Sequence, residues 1–188
     1  MSEPVVFEPL TDRDRQELLR ISRATLREHL TTGYLPPGSP HRSTLLQPAG
    51  AFVTVFVGGE LRGCMGRVEA DQPLYLVIEE LTVAASTRDS RFEPVRVEEM
   101  KDTRLSVSVL SRVQPARAEE IEIGKHGLVI TRGPRRGLLL PQVAVEHAFT
   151  VEQFLDETCK KAGLPSGAWK EPGTTLESFT ADVFKERD

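Results

Sequence analysis

The amino-acid sequence predicts an α+β fold with a mostly antiparallel sheet and flanking helices. β-patterned runs are joined by short hairpin turns, and the regular strand-helix repeat of a parallel sheet does not occur. Two apolar-periodic segments with capping signals predict helices between the hairpins. At 188 residues the chain is long enough to bury a core of its own. We therefore expect one domain over residues 1–188, with room for a larger and a smaller subdomain.

The first predicted element is a helix with Thr11 as its cap and Gly33 at its end. Its apolar stripe consists of Leu18, Leu19, Ile21, Leu26 and Leu30. The segment from Tyr34 to Gly50 carries four prolines. Because proline disfavours regular elements, we expect an ordered surface loop there, and a candidate lid.

The clearest element is a β-hairpin, GAFVTVFV-GG-ELRGCMGRV, with a two-residue Gly-Gly turn. Counting outward from that turn places Val53 opposite Cys64 and Val55 opposite Arg62. Cys64 and Arg62 are then expected to share one face with these valines, away from the aromatic core. The other, heavier apolar face is expected to carry Phe52, Phe56, Leu61 and Met65.

The rest of the chain alternates helices with strands. Pro73 begins a second helix, which is followed by a half-buried strand in RLSVSVLSRV. A hairpin is predicted from EIEIGKHGLVITRG through PRRGLLLPQVAV, turning at Gly133 to Arg136, with Pro141 at its edge or end. Thr150 and Gln153 form a capping box for the last helix, and LESFTADVF is a closing strand.

Composition narrows the class of protein. The net charge is −4, with 24 basic residues scattered among 28 acidic ones, so neither nucleic acid nor an anionic membrane is an expected partner. The beginning of the sequence has no leader pattern, and we expect a soluble, cytoplasmic protein. Its two cysteines are expected to be reduced thiols, and the spacing of cysteines, histidines and acids predicts neither a metal nor a cofactor.

The segment LRGCMG is unusual for a strand and makes Cys64 a candidate nucleophile. Arg62 lies two residues away, and a nearby guanidinium favours thiolate over thiol. Gly63 and Gly66 would let a substrate, or another part of the backbone, approach closely. Alternatively, Cys64 is a small hydrophobe that packs beside the neighbouring valines. The sequence alone does not decide between these two interpretations of Cys64.

A nucleophilic cysteine needs a base, and His126 in GKHGL is the best candidate of the four histidines. It lies between glycines at the mouth of a predicted strand. His147 is a second choice. The alternative is that His126 is a structural hydrogen bonder in a turn.

Two further side chains are candidates for holding an anionic substrate. Arg91 in RDSRF would join Arg62 in this role, although a cation after a helix also complements the helix dipole. Gln142 in LLLPQ follows an apolar run. It would contact either a ligand or a buried backbone group.

Several segments together resemble a known family. LRGCMG resembles the LRGCIG signature of the AMME syndrome candidate protein family, whose AMMECR-type domain is also the AmmeMemoRadiSam system protein A of prokaryotes. Met65 departs from the usual isoleucine and Ser90 from the usual proline of DPRF, and neither change removes a chemical group. Other matching segments, in the same order, are GAFVTVFVGGELRGCMG, RDSRF, GKHGLVI, GLLLPQVAVEH, FLDETCKKAGLPSGAW and ADVFKE.

The resemblance implies one α+β domain of two subdomains, with the signature segment in a groove, and an association with Memo-like and radical SAM proteins. Taken with the residues, it leads to two hypotheses. In the first the protein is an enzyme: Cys64 attacks a small anionic substrate, His126 relays the proton, and Arg62 holds negative charge. In the second, LRGCMG forms a surface of a non-catalytic binding or adaptor module. The sequence leaves open whether the chain forms a homodimer.

Overall fold

The computed structural model describes residues 9–34 and 42–187. The chain divides into two compact units. One comprises the described residues up to Leu110 together with those from Asp182 onward, and the other is Ser111–Ala181. Helices and antiparallel strands in both units confirm the predicted α+β fold. Among the described residues, no helix is long and apolar enough to cross a membrane.

The first unit packs two helices and a sheet around an apolar core. Strand β1 pairs antiparallel with β2 on one side and β3 on the other, and the end of β7 lies beside β3. The helices pack on each other, and α2 also packs on β1 and β2. The elements are α1 (Asp12–Thr32), β1 (Ala51–Val57), β2 (Glu60–Arg67), α2 (Leu74–Thr87), β3 (Thr103–Leu110) and β7 (Thr175–Lys185).

The second unit has its own core. The beginning of β7 pairs with β4 on one side and β5 on the other, and β5 continues into the β6 hairpin. Phe154, Leu155 and Cys159 of α4 are fully buried in a cluster with residues of β5. The elements are β4 (Gln114–Pro115), β5 (His126–Arg132), β6 (Arg135–Leu139), α3 (Pro141–Glu146) and α4 (Val151–Lys161).

Local capping signals set both ends of α1 as predicted. Thr11 and Asp14 form a capping box at the start of α1, and Gly33 ends the helix in the left-handed conformation. Asp14 is fully buried, yet hydrogen bonds from Thr11, Thr44 and Arg42 outweigh the effect of burial and hold its pKa well below the usual value. Within the proline-rich segment, residues 35–41 lie outside the described residues, and Ser43–Leu46 form a 3-10 turn.

The predicted β1–β2 hairpin is present, but its predicted register is wrong beyond Leu61. A β-bulge makes Arg62 an extra residue, so that Val55 pairs with Gly63 and Thr54 with Cys64. A bulge leaves one residue unpaired and shifts every later pair by one position. The alternation of the strand alone contains no signal for that insertion.

The bulge also reverses the predicted faces. Val53 and Val55 are completely buried and form the core face, against which α2 packs. Cys64 lies opposite Thr54, on the half-buried face that also carries Phe52 and Phe56. The expectation that Cys64 shares a face with Val53 and Val55 is therefore wrong.

The segment PQVAV is a short helix, where the sequence predicts the end of a strand. Strand β6 stops at Leu139, and Pro141 occupies the first turn of α3. Proline fits there because the first N–H groups of a helix have no partner within the helix. The predicted turn between β5 and β6 and the capping box of α4 are confirmed.

Candidate functional site

Cys64 lies on β2, the outermost strand of the first unit's sheet. Its main chain is bonded on the side away from β1 by two side chains that follow α2. The N–H of Cys64 donates to Oδ2 of Asp89 (2.9 Å), and Nη2 of Arg91 donates to the Cys64 carbonyl (3.3 Å). An exposed strand edge is usually open to further pairing. Here two side chains of the RDSRF segment bond to the strand edge at Cys64 and fix the Cys64 backbone.

The Cys64 thiol has a polar neighbour across the hairpin. The Thr54 hydroxyl lies 3.3 Å from Cys64 Sγ and donates a hydrogen bond to it. Thr54 faces Cys64 directly because the bulge shifts the register. Cys64 is a half-buried residue whose sulfur has a hydroxyl donor beside it.

Asp89 and Arg91 form a two-point ion pair beside Cys64. Arg91 donates from Nε to Oδ1 (2.9 Å) and from Nη2 to Oδ2 (2.7 Å). The Arg91 guanidinium, followed by the N–H of Cys64, holds the pKa of the Asp89 carboxyl well below its usual value. Asp89 is only 8% exposed, whereas the Arg91 side chain is 60% exposed. The buried carboxylate thus anchors an arginine that faces solvent.

Arg62 is held elsewhere in the first unit. Its Nη2 donates to both carboxylate oxygens of Glu99 (2.7 and 2.9 Å), and its Nε donates to the Glu93 carbonyl (2.9 Å). The N–H of Arg96, and then the Arg62 guanidinium, lower the pKa of Glu99. Arg91, and not Arg62, is the arginine that bonds to Cys64.

The two glycines of the signature make close contacts within the first unit. A Cβ on Gly63 would lie 1.8 Å from the Ala85 carbonyl oxygen, so the last turn of α2 is what approaches this strand. A Cβ on Gly66 would lie 2.0 Å from the Phe52 ring. The sequence predicts that either a substrate or another part of the backbone lies close to Gly63. The structure shows a backbone contact, with Ala85.

His126 and Gln142 belong to the second unit. His126 begins β5, and its Nδ1 accepts a hydrogen bond from the N–H of Glu122 (3.0 Å). That bond leaves Nε2 to carry the proton of the neutral ring. Gln142 is half-buried in α3. The pairing of His126 with Cys64 joins residues of different units and stays a prediction.

Two residues of the site were not among the sequence candidates. Asp89 lies within RDSRF, whose arginine alone was considered, and a short acid between two arginines is a signal for an ion pair. Thr54 is the one polar side chain in AFVTVFV. A polar residue in an apolar strand indicates a partner across the hairpin.

The two cysteines are expected to differ sharply in reactivity. Cys159 is fully buried, and burial raises the pKa of its thiol. In the folded protein, 4,4′-dithiodipyridine should react rapidly with the Cys64 thiol. It should react with the Cys159 thiol only after unfolding in guanidinium. The Cys159→Ala variant should keep the rapid phase, and the Cys64→Ser variant should lose it. Equal rates for both thiols would contradict the described burial.

Known proteins match this chain over most of its length. The sequence profile of the AMMECR1 family matches residues 19–184. A protein of Methanothermobacter thermautotrophicus is 39% identical over 190 residues, which cover 96% of this chain and 98% of that protein. A protein of Methanopyrus kandleri is 37% identical over 191 residues, covering 96% and 92%.

A crystal structure gives the same result for the fold. An uncharacterised protein of Pyrococcus horikoshii superposes with a TM-score of 0.81 at 35% sequence identity, covering 90% of each chain. The profile match, the identity to full-length relatives and this similarity of fold agree with one another. The chain belongs to the AMMECR1 family.

Proposed function

We propose that the protein is an enzyme in which the Cys64 thiol is a nucleophile and Arg91 holds the negative charge of a small anionic substrate. The observation that carries the proposal is the Thr54 hydroxyl, which donates to Cys64 Sγ over 3.3 Å. A cysteine that only fills space is usually surrounded by apolar atoms. A hydroxyl donor and a nearby cation instead stabilise negative charge on sulfur.

Arg91 takes the role that the sequence assigned first to Arg62. The Arg62 guanidinium is bonded to Glu99 and to a carbonyl, which leaves it poorly suited to a substrate. Arg91 is anchored on one side by Asp89, and its Nη1 is bonded to no acceptor among the residues the structure describes. An anchored, exposed guanidinium with free donors suits a carboxylate or phosphate.

The proposed chemistry is attack by sulfur on an electrophilic carbon of the substrate. The thiol proton passes to a base, the sulfur electron pair forms a C–S bond, and the electron pair of the broken bond leaves with the departing group. His126 is the candidate base; it would accept the proton at Nδ1 after releasing the Glu122 N–H, because Nε2 carries the proton of its neutral ring. Water then cleaves the C–S bond and restores the thiol. In keeping with the family resemblance, we place this step in a cytoplasmic pathway shared with Memo-like and radical SAM proteins.

The second candidate function is a non-catalytic binding or adaptor module that uses the LRGCMG surface. Leu61 favours it, because this large apolar side chain is 44% exposed on β2 beside Arg62. Addition of a partner strand at Cys64 is disfavoured, since Asp89 and Arg91 already bond to that edge. A partner would have to contact side chains. The module hypothesis requires no special reactivity of Cys64.

Alkylation by two reagents of different charge tests the proposed enzyme site. Iodoacetate carries a carboxylate, whereas iodoacetamide is neutral and otherwise similar. Because Arg91 attracts the anion, the ratio of the iodoacetate rate to the iodoacetamide rate at Cys64 should exceed that of the unfolded chain by about 10-fold, or about 1.4 kcal/mol. Mass spectrometry of the Cys64 peptide at timed intervals gives both rates.

Matched arginine variants provide the control. Arg91→Gln should return the ratio to that of the unfolded chain, whereas Arg62→Gln should leave it raised, since Arg62 is held by Glu99. Thr54→Val should slow both reagents alike. If Cys64 reacts no faster than the unfolded thiol and shows no charge preference, the nucleophile hypothesis fails and the binding module is favoured.

A further inference from the structure

A cavity of about 560 Å³ lies within the second unit, between the end of β6, α3 and α4. Small-molecule sites typically have volumes of about 300 to 1,000 Å³ and combine apolar walls with a few polar groups. This cavity has both kinds of wall. The apolar side chains are Leu139, Val143 and Phe149, and the charged or polar ones are His147, Glu157, Lys160 and Lys161.

The lysines reach the cavity because β6 runs unusually close to the end of α4. A Cβ on Gly137 would lie 2.3 Å from the Ala162 backbone nitrogen. This close approach brings Leu139, two residues further along β6, to the last turn of α4. The same turn carries Lys160 and Lys161.

The two lysines that line the cavity differ in their ion pairing. Lys160 is paired with Glu157 at 2.5 Å, whereas no acid among the described residues pairs with Lys161. Lysines in a last helical turn also complement the helix dipole. Both lysines are exposed to solvent and also line this cavity. Lys161 is the cation available to a ligand.

The part of the cavity lined by His147 and Phe149 is held by a strained turn. Ala148 has a φ of 50°, in the left-handed region that normally favours glycine. The Phe149 N–H bonds to the Ala144 carbonyl (2.9 Å) and closes the end of α3. As a result His147 and Phe149 stack, with ring centroids 5.2 Å apart and planes 16° from parallel. The turn therefore presents a flat aromatic surface and an imidazole to the cavity.

We propose that this cavity binds a small anion with an aromatic or aliphatic body, of the aryl or alkyl carboxylate or phosphate class. Lys161 holds the anionic group, with His147 as an additional donor. The body packs on Phe149, Leu139 and Val143. The site does not depend on Cys64 and adds a second ligand to the proposed enzyme.

Chemical-shift titration of the full-length, ¹⁵N-labelled chain tests the site with defined probes. Phenyl phosphate and benzoate share the anionic and aromatic parts, and benzyl alcohol is a neutral counterpart. Both anions should give saturable shifts centred on Leu139, residues 143–149 and residues 157–161, with Kd values of about 1 mM. Benzyl alcohol should bind at least about 10-fold more weakly. Tighter binding of phenyl phosphate would indicate a phosphate ester, and tighter binding of benzoate a carboxylate.

Two lysine variants separate the specific site from general attraction to positive charge. Lys161→Gln should weaken phenyl phosphate binding at least about 10-fold and leave benzyl alcohol unchanged. Lys170→Gln removes the same charge from an exposed lysine of this unit that is paired with Glu152 (2.8 Å), and it should have no effect. Absence of saturable shifts up to about 20 mM, or equal weakening by both variants, would overturn the proposal.

Discussion

Replacing Gly63 by alanine is expected to destabilise the protein by at least about 3 kcal/mol, the upper part of the range for overpacked cores. The new methyl group would lie 1.8 Å from the Ala85 carbonyl oxygen. Because that atom belongs to the backbone of α2, the clash cannot be relieved by a change of side-chain rotamer. Urea denaturation followed by circular dichroism measures the loss.

Gly66→Ala is the matched control on the same strand. Its Cβ would meet the Phe52 ring at 2.0 Å, and that half-buried side chain is able to move. We expect a cost of about 1 to 2 kcal/mol. If Gly63→Ala proves no more costly than Gly66→Ala, the last turn of α2 does not lie against β2 as described. The comparison also explains why residue 63, beside Cys64, is a glycine. Without a side chain at this position the end of α2 can lie against β2. The segment after α2 then reaches the Cys64 backbone.

Replacing Asp89 by alanine is expected to cost about 2 to 3 kcal/mol at neutral pH, as for the loss of a buried group with charge-assisted bonds. Asp89 accepts from the Cys64 N–H, from the Arg91 N–H and from the Arg91 guanidinium. The cost is limited because Arg91 is exposed and becomes hydrated once it is unpaired. The free energy of unfolding in urea gives the value.

The cost should depend on pH in a defined direction. The folded-state pKa of Asp89 is depressed, so its stabilisation is complete above the unfolded value of about 3.9 and is lost as pH falls below it. The difference between wild type and Asp89→Ala should therefore be constant above about pH 5 and shrink toward pH 3.

Asp71→Ala is the control for a surface ion pair. Asp71 pairs with Arg67 in the same unit but is largely exposed, and its loss should cost about 0.5 kcal/mol or less. If Asp89→Ala resembles Asp71→Ala, or if its cost does not change with pH, Asp89 is not the anchor of Cys64. The rate of Cys64 alkylation in Asp89→Ala shows whether that anchor also supports reactivity.

Much of the candidate site was visible in the sequence, but not its internal arrangement. The glycines and cysteine of LRGCMG, together with RDSRF, mark two segments of the first unit that the structure brings together. The choice between Arg62 and Arg91 was not visible, because sequence proximity to Cys64 favoured Arg62. The bulge at Arg62 and the chain path after α2 bring Arg91 to Cys64 and leave Arg62 with Glu99.

The sequence by itself determined the α+β class, the ends of α1, the start of α4 and the presence of the β1–β2 hairpin. These features depend on hydrophobic periodicity, capping residues and turn glycines, all of which act within a few residues. Only the tertiary structure decided which face of the hairpin is buried, what each glycine contacts and which side chains surround Cys64. One inserted residue reverses the faces of a strand, and the partners of Cys64 come from segments 10 to 27 residues away along the chain.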